Sequence, residues 1–288
     1  MSLLAPLNQI HLRARLASLV ILGVTAVASA EPYSYKTPGQ LFIETFDSLP
    51  NAPENTALPD PWVDDLTLPH WMAITTIEVP TEGGFHRFRI THGNTSGGSI
   101  YSFGAANDTD RALGSIGSTT VGDVYWGTRF HNDTGRTLNQ ITFTYSGEQW
   151  RDGGATAPAI SVAQTIDFQF SLSATGIFGE AFKGAVDVNA LDFVSPIFGS
   201  SNAVSYDGNA PANRVLLSST IRGFQWLPDT DLFVRWIDIN HLGNDHGMAI
   251  DDFSIVANTP EPCVFPAAAL AAAAMFSRRR LDRPAAGA

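Results

Sequence analysis

The chain has little cysteine, little positive charge and no long helical pattern between its terminal segments. Its single cysteine, Cys263, lies near the C-terminus, so the rest of the 288 residues cannot form a disulfide among themselves. A domain of this size can bury a core without one. Lys and Arg number 17 against 28 Asp and Glu, a formal net charge of −11. An acidic surface repels phosphate backbones, which argues against nucleic acid as a partner.

Several enzyme motifs are also missing. The sequence contains no H-E-x-x-H zinc motif, no P-loop and no Rossmann glycine pattern. The glycines in the stretch 114–118, GSIGS, have the wrong spacing for a serine nucleophile turn, and we interpret this stretch as a turn between strands. No internal repeat of the kind that builds propellers is visible.

The N-terminal segment, residues 1–30, has the pattern of a secretory signal peptide. Arg13 and Arg15 precede an apolar run, and Ala28 and Ala30 form a small-residue cleavage site. The apolar run is shorter than the ~20 residues that span a bilayer, which disfavours the alternative of a retained membrane anchor. We therefore predict export through the Sec machinery.

The C-terminal segment, residues 259–288, contains three elements in order. These are Pro260, Glu261 and Pro262, then an alanine-rich apolar run, then Arg278, Arg279 and Arg280. The run is short for a stable membrane helix but long enough for transient insertion, with the arginines on the cytoplasmic side. The segment resembles the PEP-CTERM tail, which an exosortase of Gram-negative bacteria recognises and processes. The resemblance implies sorting to the cell envelope, the outer surface or the extracellular matrix.

Residues 31–258 show the pattern of one all-β domain. Apolar and polar residues alternate in short runs separated by Gly, Asn, Asp, Pro and Ser. In one run Ile141, Phe143 and Tyr145 alternate with Thr and Ser, as in a half-buried antiparallel strand. Eight such runs are centred near Leu41, Phe88, Trp126, Phe143, Phe168, Leu216, Val234 and Phe253. They predict a two-sheet antiparallel sandwich of the jelly-roll or lectin-like kind, with a closed barrel as the alternative.

The densest group of candidate chemistry lies in one stretch near the end of this domain, RWIDINHLGNDHGMAIDDFS. His241 and His246 are five residues apart, a spacing that would allow both to bind one cation with Asp245. Isolated loop histidines are more often hydrogen-bonding turn residues. We interpret the stretch as a hairpin, with Gly243 and Gly247 supplying the unusual backbone angles of its turn.

Glu148 is the candidate acid for hydrolysis of glycans. It lies two residues before Trp150, and an aromatic ring beside an acid suits a sugar site. Hydrolysis requires a second carboxyl across a cleft, and the sequence identifies none. In the alternative interpretation Glu148 forms an ion pair with Arg151, and Trp150 packs beneath them.

Two tryptophans are candidates for a ligand surface. Trp62 and Trp226 lie beside prolines and acids in apparent loops, and exposed indoles commonly stack on sugars. Trp126 and Trp236 lie within alternating strands and are predicted to be in the core.

Four acids near the two ends of the domain form a predicted structural calcium site. Glu44 and Asp47 belong to the first predicted strand and its end, and Asp251 and Asp252 to the last. Calcium accepts several carboxylate oxygens at flexible geometry. Adjacent strand residues point to opposite faces, so at most one of the two aspartates can be buried and the other should face solvent. The alternative is that all four are solvated surface acids.

Several phrases between Gly97 and Ile255 resemble a recurring family of exported bacterial PEP-CTERM proteins. They are GGSIYSFGA, DRALGSIGS, TFTYSGEQWRDGG, SYDGNAPANR and RWIDINHLGNDHGMAIDDFSI. The resemblance implies no assigned activity. The closing AIDDFSI is also similar to the last strand of many carbohydrate-binding jelly rolls. We predict an exported, non-catalytic structural or polysaccharide-binding β-sandwich, with a secreted glycan hydrolase as the alternative.

Overall fold

The computed structural model describes residues 30–54, 61–77 and 87–259. The signal peptide, apart from Ala30, and the sorting tail, apart from Thr259, lie outside the described residues. The described part contains fifteen β-strands and two short 3₁₀ helices, Gly179–Ala181 and Asn189–Leu191. No helix in it has the length and apolar character needed to cross a membrane.

The first sheet has seven strands. They are β1 (Tyr33–Tyr35), β3 (Trp71–Thr75), β7 (Val124–Asn132), β9 (Thr165–Ser171), β10 (Val186–Asp187), β11 (Phe193–Val194) and β14 (Asp231–Asp238). Their order is β1-β7-β14-β9-β10, with β3 also paired to β7 and β11 to β9. All pairings are antiparallel except that of β1 with β7.

The second sheet has eight strands. They are β2 (Leu41–Glu44), β4 (Phe88–Thr91), β5 (Ser99–Phe103), β6 (Ala112–Ile116), β8 (Leu138–Asp152), β12 (Val204–Ser205), β13 (Arg214–Trp226) and β15 (Gly247–Asn258). Their order is β12-β8-β15-β6-β5-β4, with β13 also paired to β8 and β2 to β15. Only β4 and β5 are parallel.

An aromatic core fills the space between the two sheets. Trp236 stacks on Trp71 at 5.8 Å between ring centroids and meets Phe253 edge-on at 4.9 Å. The alternation predicted for β8 is confirmed, because Ile141 and Tyr145 are fully buried, whereas Thr142 and Thr144 point to the outer face. Trp126 is fully buried, also as predicted.

The prediction of an all-β protein with two sheets is confirmed, and each of the eight predicted runs forms a strand. Seven strands were not predicted: β1, β3, β5, β6, β10, β11 and β12. In β5 and β6 every residue is buried, so neither shows alternation. A second, smaller core covers their outer face and includes Tyr101, Phe103 and Trp150. The interpretation of residues 114–118 as a turn was wrong for the first three, which belong to β6.

Candidate functional site

The connection between β14 and β15 passes from one sheet to the other. Strand β14 pairs with β7 and β9 in the first sheet, whereas β15 pairs with β8, β6 and β2 in the second. The hairpin predicted for this stretch is therefore wrong, because the two strands share no ladder. The connecting loop, residues 239–246, instead closes one end of the sandwich. Gly243 adopts a φ of +104° there, whereas Gly247 begins β15 and has no positive φ.

His246 anchors this loop between the sheets. Its ring is fully buried, with Nε2 3.2 Å from Asp152 Oδ1, and Gln149 Nε2 donates to Nδ1 at 3.2 Å. Ser161 Oγ donates to the second oxygen of Asp152, so this hydroxyl is bonded to the carboxylate and not to the imidazole. Burial lowers the pKa of His246, which favours the neutral ring. The arrangement holds the loop in place and contains no activated nucleophile.

Asp245 faces away from His246 and pairs with His241. Asp245 Oδ1 accepts a hydrogen bond from the His241 backbone at 2.8 Å and lies 3.7 Å from His241 Nδ1. The two histidines therefore belong to separate carboxylates, and the hypothesis that both bind one cation with Asp245 is wrong. A Cβ at Gly117 would lie only 3.0 Å from Asp245 Oδ1, so glycine there allows the close approach of the loop.

A cavity of about 470 Å³ opens beside Asp245 at this end of the sandwich. The hydroxyl groups of Ser96, Ser118 and Thr119 line it, together with the amide group of Asn202. Among the described residues that line it, two are charged: Arg151, at the end of β8, and Asp245. The lining therefore offers donors, acceptors and one group of each sign. A volume of this size lies within the range of small-molecule sites.

Glu148 has a second carboxylate close by, but neither opens to a cleft. Glu148 and Asp251 lie on the outer face of the second sheet and are 0% and 3% exposed. Both contact Arg214, whose Nε lies 3.5 Å from Glu148 Oε1 and whose Nη2 lies 3.4 Å from Asp251 Oδ2. The predicted ion pair of Glu148 with Arg151 is wrong, because Arg151 Nη1 donates to the Gly93 carbonyl instead.

Burial sets the protonation of this carboxyl pair. It raises the pKa of Glu148 to about 7, although Arg214 acts in the opposite direction. Burial raises the pKa of Asp251 to about 8, and the negative charge of Glu148 adds to the rise. Glu148 Oε2 accepts a hydrogen bond from Trp150 Nε1 at 3.1 Å, so the carboxyl also orients the indole of the smaller core.

The four acids of the predicted calcium site do not surround a common point. Strand register places Glu44 opposite Phe253 on the core side of the sheet, whereas Asp251 lies opposite Ser146 on the outer face. Glu44 Oε1 accepts a hydrogen bond from the Phe46 backbone. The four side chains do not form a group within mutual ligand distance, and Asp47 bonds to Thr45. The positions of these four acids therefore do not support the predicted calcium site.

Asp251 and Asp252 differ in exposure as predicted. Asp251 is buried, and the side chain of Asp252 is 54% exposed. Both nevertheless reach Arg214, with Asp252 Oδ2 at 2.6 Å from Nη2. A bulge in β15 with a φ of +51° at Asp252 turns the second carboxylate back toward the arginine.

The prediction of Trp62 and Trp226 as an exposed ligand surface was wrong. Both indoles are fully buried. Trp62 Nε1 donates to Asp64 at 2.9 Å, and Trp226 Nε1 donates to the Thr230 carbonyl at 2.9 Å. For Trp62, a neighbouring acid that suggested exposure is the hydrogen-bond partner of the buried indole, whereas for Trp226 a backbone carbonyl has that role.

Sequence reasoning singled out Asp245 but missed the rest of the cavity. Ser96, Ser118 and Asn202 come from separate connections between strands, and Arg151 comes from the end of β8. Their short stretches are rich in Gly, Ser and Asn, which in the sequence indicates only turns. Nothing local shows that these turns meet at the same end of the sandwich.

No model of a known protein family matches the chain, and no curated protein matches it. Among solved structures, the chain is similar to the CBM22-1 xylan-binding domain of Xyn10C from Paenibacillus barcinonensis. The sequences are 10% identical, the match covers 79% of this chain and 100% of that one, and the TM-score is 0.34.

Two further solved structures show a likeness of the same order. The K1 cleaved adhesin domain of Lys-gingipain from Porphyromonas gingivalis is 15% identical, with 76% of this chain and 99% of that one covered and a TM-score of 0.34. The family 11 carbohydrate-binding module from Clostridium thermocellum, solved with a mixed-linked tetrasaccharide, is 14% identical, with 70% and 97% covered and a TM-score of 0.25. Values this low assign no ligand and no residue role to this chain.

Proposed function

We propose that the protein is an exported, non-catalytic envelope or matrix protein that binds a neutral polysaccharide, and that the cavity beside Asp245 holds a sugar unit. The observation that carries the proposal is the lining of that cavity. Each sugar hydroxyl donates and accepts, and the cavity offers an acceptor in Asp245, a donor in Arg151 and hydroxyl groups that do both. Ile116 adds apolar surface that can contact the apolar face of a sugar ring.

Charge favours a neutral ligand over an anionic one. The chain carries a formal charge of −11, and a carboxylate lies in the cavity itself. An anionic polymer would be repelled at long range and would meet Asp245 on entry. Neutral glycans have no such penalty.

The number of carboxylates supports binding over hydrolysis. Among the described residues that line the cavity, Asp245 is the only acid, whereas glycoside hydrolysis uses two. The other carboxyl pair, Glu148 and Asp251, is buried beneath Arg214, where a glycosidic oxygen has no access. No specific observation favours the hydrolase.

Export and sorting are part of the same proposal and are supported by the sequence of the two terminal segments. Cleavage after Ala30 would release the domain from the Sec machinery. Exosortase would then recognise Pro260, Glu261 and Pro262, after transient insertion of the apolar tail. The bound polysaccharide would thus belong to the cell envelope or matrix.

Calorimetry and a glycan array with the full chain test the sugar site. Asn202, an exposed lining residue, is changed to Trp to fill the cavity, and Gln225, exposed on β13, is changed to Trp as the control. We expect neutral glycans to bind the wild type and Gln225→Trp but to lose at least tenfold in affinity for Asn202→Trp. Equal binding by both variants, or release of reducing sugar from a bound glycan, would contradict the proposal.

A further inference from the structure

A second group of side chains, with the nitrogen and oxygen atoms of potential metal ligands, lies at the end of β7 beside the turn between β13 and β14. His131, Asp133 and Asp229 each place one ligand atom within 4.8 Å of the others. His131 Nε2 lies 3.7 Å from Asp133 Oδ1. Two ligands at 2.0–2.2 Å from one tetrahedral ion lie roughly 3.4 Å apart, so this pair needs little movement to share an ion.

The orientation of the His131 imidazole is set by Asp231, which lies outside this group of three residues. His131 Nδ1 lies 2.7 Å from Asp231 Oδ1, and because a carboxylate only accepts, Nδ1 carries the proton. Arg129 donates to Asp231 Oδ2 from Nη2 at 2.6 Å and from Nε at 3.0 Å, which holds that carboxylate in place. The lone pair of the neutral ring is therefore on Nε2, on the side of Asp133. Metal-binding histidines almost always have such a carboxylate behind them.

The two chain segments that carry the group are held together before any ligand binds. Asn132, buried between His131 and Asp133, donates from Nδ2 to the Trp226 carbonyl at 2.9 Å. The Asp229 backbone donates to the Asn132 carbonyl at 3.0 Å, and the Asn132 backbone donates to the Thr230 carbonyl at 3.0 Å. The relative position of His131 and Asp229 is thus fixed by backbone contacts.

We propose that His131 Nε2, Asp133 and Asp229 bind a divalent transition metal of the zinc class, with Asp231 as the residue that positions the imidazole. One nitrogen and two carboxylate oxygens suit zinc, and the fourth position is left to water. Calcium prefers an all-oxygen set, so the imidazole discriminates against it. The site is separate from the cavity and does not depend on the proposed sugar binding.

Zinc titration of the untagged, chelator-treated full chain tests the site. We expect one strong zinc equivalent per chain and a rise in melting temperature of several degrees, both absent in His131→Gln and Asp229→Asn. His92 is the matched control because, within the described part of the chain, it pairs with one carboxylate, that of Glu54, at 2.7 Å. His92→Gln should bind zinc like the wild type.

The positioning role of Asp231 has its own readout. Asp231→Ala should still bind zinc, but with an affinity lowered about 10- to 100-fold. Absence of a strong zinc equivalent in the wild type would show that the group is only a surface ion-pair network and would overturn the proposal. Zinc binding unchanged in His131→Gln, or calcium binding as tight as zinc, would also overturn it.

Discussion

Arg214 Nη2 lies 3.4 Å from Asp251 Oδ2, and the same guanidinium reaches Glu148 Oε1 with its Nε at 3.5 Å. Two buried carboxyls on neighbouring strands thus depend on one cation contributed by a third strand. This group occupies the outer face of the second sheet, near the acids from which the sequence predicts a metal site. The group therefore contributes to the stability of the fold and not to a chemical reaction.

Removal of the arginine should leave the carboxyls without a counter-charge. We expect Arg214→Leu to lower the free energy of unfolding by about 3 kcal/mol at pH 8. Without the arginine, each buried carboxyl must either ionise without a counter-charge or stay protonated, and both states cost free energy at this pH. The loss should be smaller at pH 5, where both are already neutral. Arg222→Leu is the control on the same strand, because Arg222 is exposed, and it should change the value by less than about 0.5 kcal/mol. Urea unfolding at both pH values measures the difference, and equal losses for the two variants would contradict the assignment.

Stability of the wild type should fall as pH rises from about 5 to 8. The folded-state pKa values of Glu148 and Asp251, about 7 and about 8, lie above their unfolded values, so the folded protein retains protons that the unfolded chain has released. The free energy of unfolding then falls with pH, by at most about 1.4 kcal/mol per pH unit for each retained proton. Asp251→Asn should flatten the slope. A stability that rises with pH across this window would refute the pKa directions.

The tryptophans predicted at a ligand surface should act on folding. We expect Trp226→Ala to lower the free energy of unfolding by about 3 to 5 kcal/mol, because it empties a fully buried site. Leu242→Ala, at a fully exposed position in the loop beside the cavity, should leave stability within about 0.5 kcal/mol of the wild type. Thermal and urea unfolding give both values. A folded Trp226→Ala protein of wild-type stability that had lost glycan binding would restore the surface role.

Calcium should have no effect on melting. Asp251 and Asp252 already contact Arg214, and Glu44 lies on the other side of the sheet, so no additional cation is needed there. We expect the melting temperature of metal-free protein to be the same with and without calcium chloride. A rise of several degrees, lost in Glu44→Ala, would instead establish the calcium site that the sequence predicts.

Processing of the two terminal segments should be visible in envelope material. Mass spectrometry is expected to find an N-terminus at Glu31 and no peptide containing Arg278, Arg279 or Arg280. Total-cell protein from cells that lack exosortase activity serves as the control and should retain the arginine cluster. Surface-located protein with an intact C-terminus would contradict the sorting prediction.

The sequence alone was sufficient for the all-β, two-sheet class and for the strands that alternate, because alternation is a local property. In β8 each apolar residue from Ile141 to Tyr145 is followed by a hydroxyl residue, and burial of one face is enough to specify a strand. Alternation is absent from a strand whose two faces are both buried: β5 and β6 have none, because Trp150 and its neighbours cover their outer side.

The candidate sites depend on contacts between residues that are distant in the chain, and no local sequence pattern predicts such contacts. Asp245 and His246 are adjacent in the chain, yet the loop that crosses between the sheets pairs one with His241 and the other with Asp152. Strand register decided that Glu44 and Asp251 lie on opposite faces and that Arg214 meets Glu148. The sequence by itself determined the two-sheet, all-β class and the eight alternating strands, since these follow from local periodicity. Only the tertiary structure decided which carboxylates share a cation and which turns line a cavity, since those contacts join residues distant in the chain.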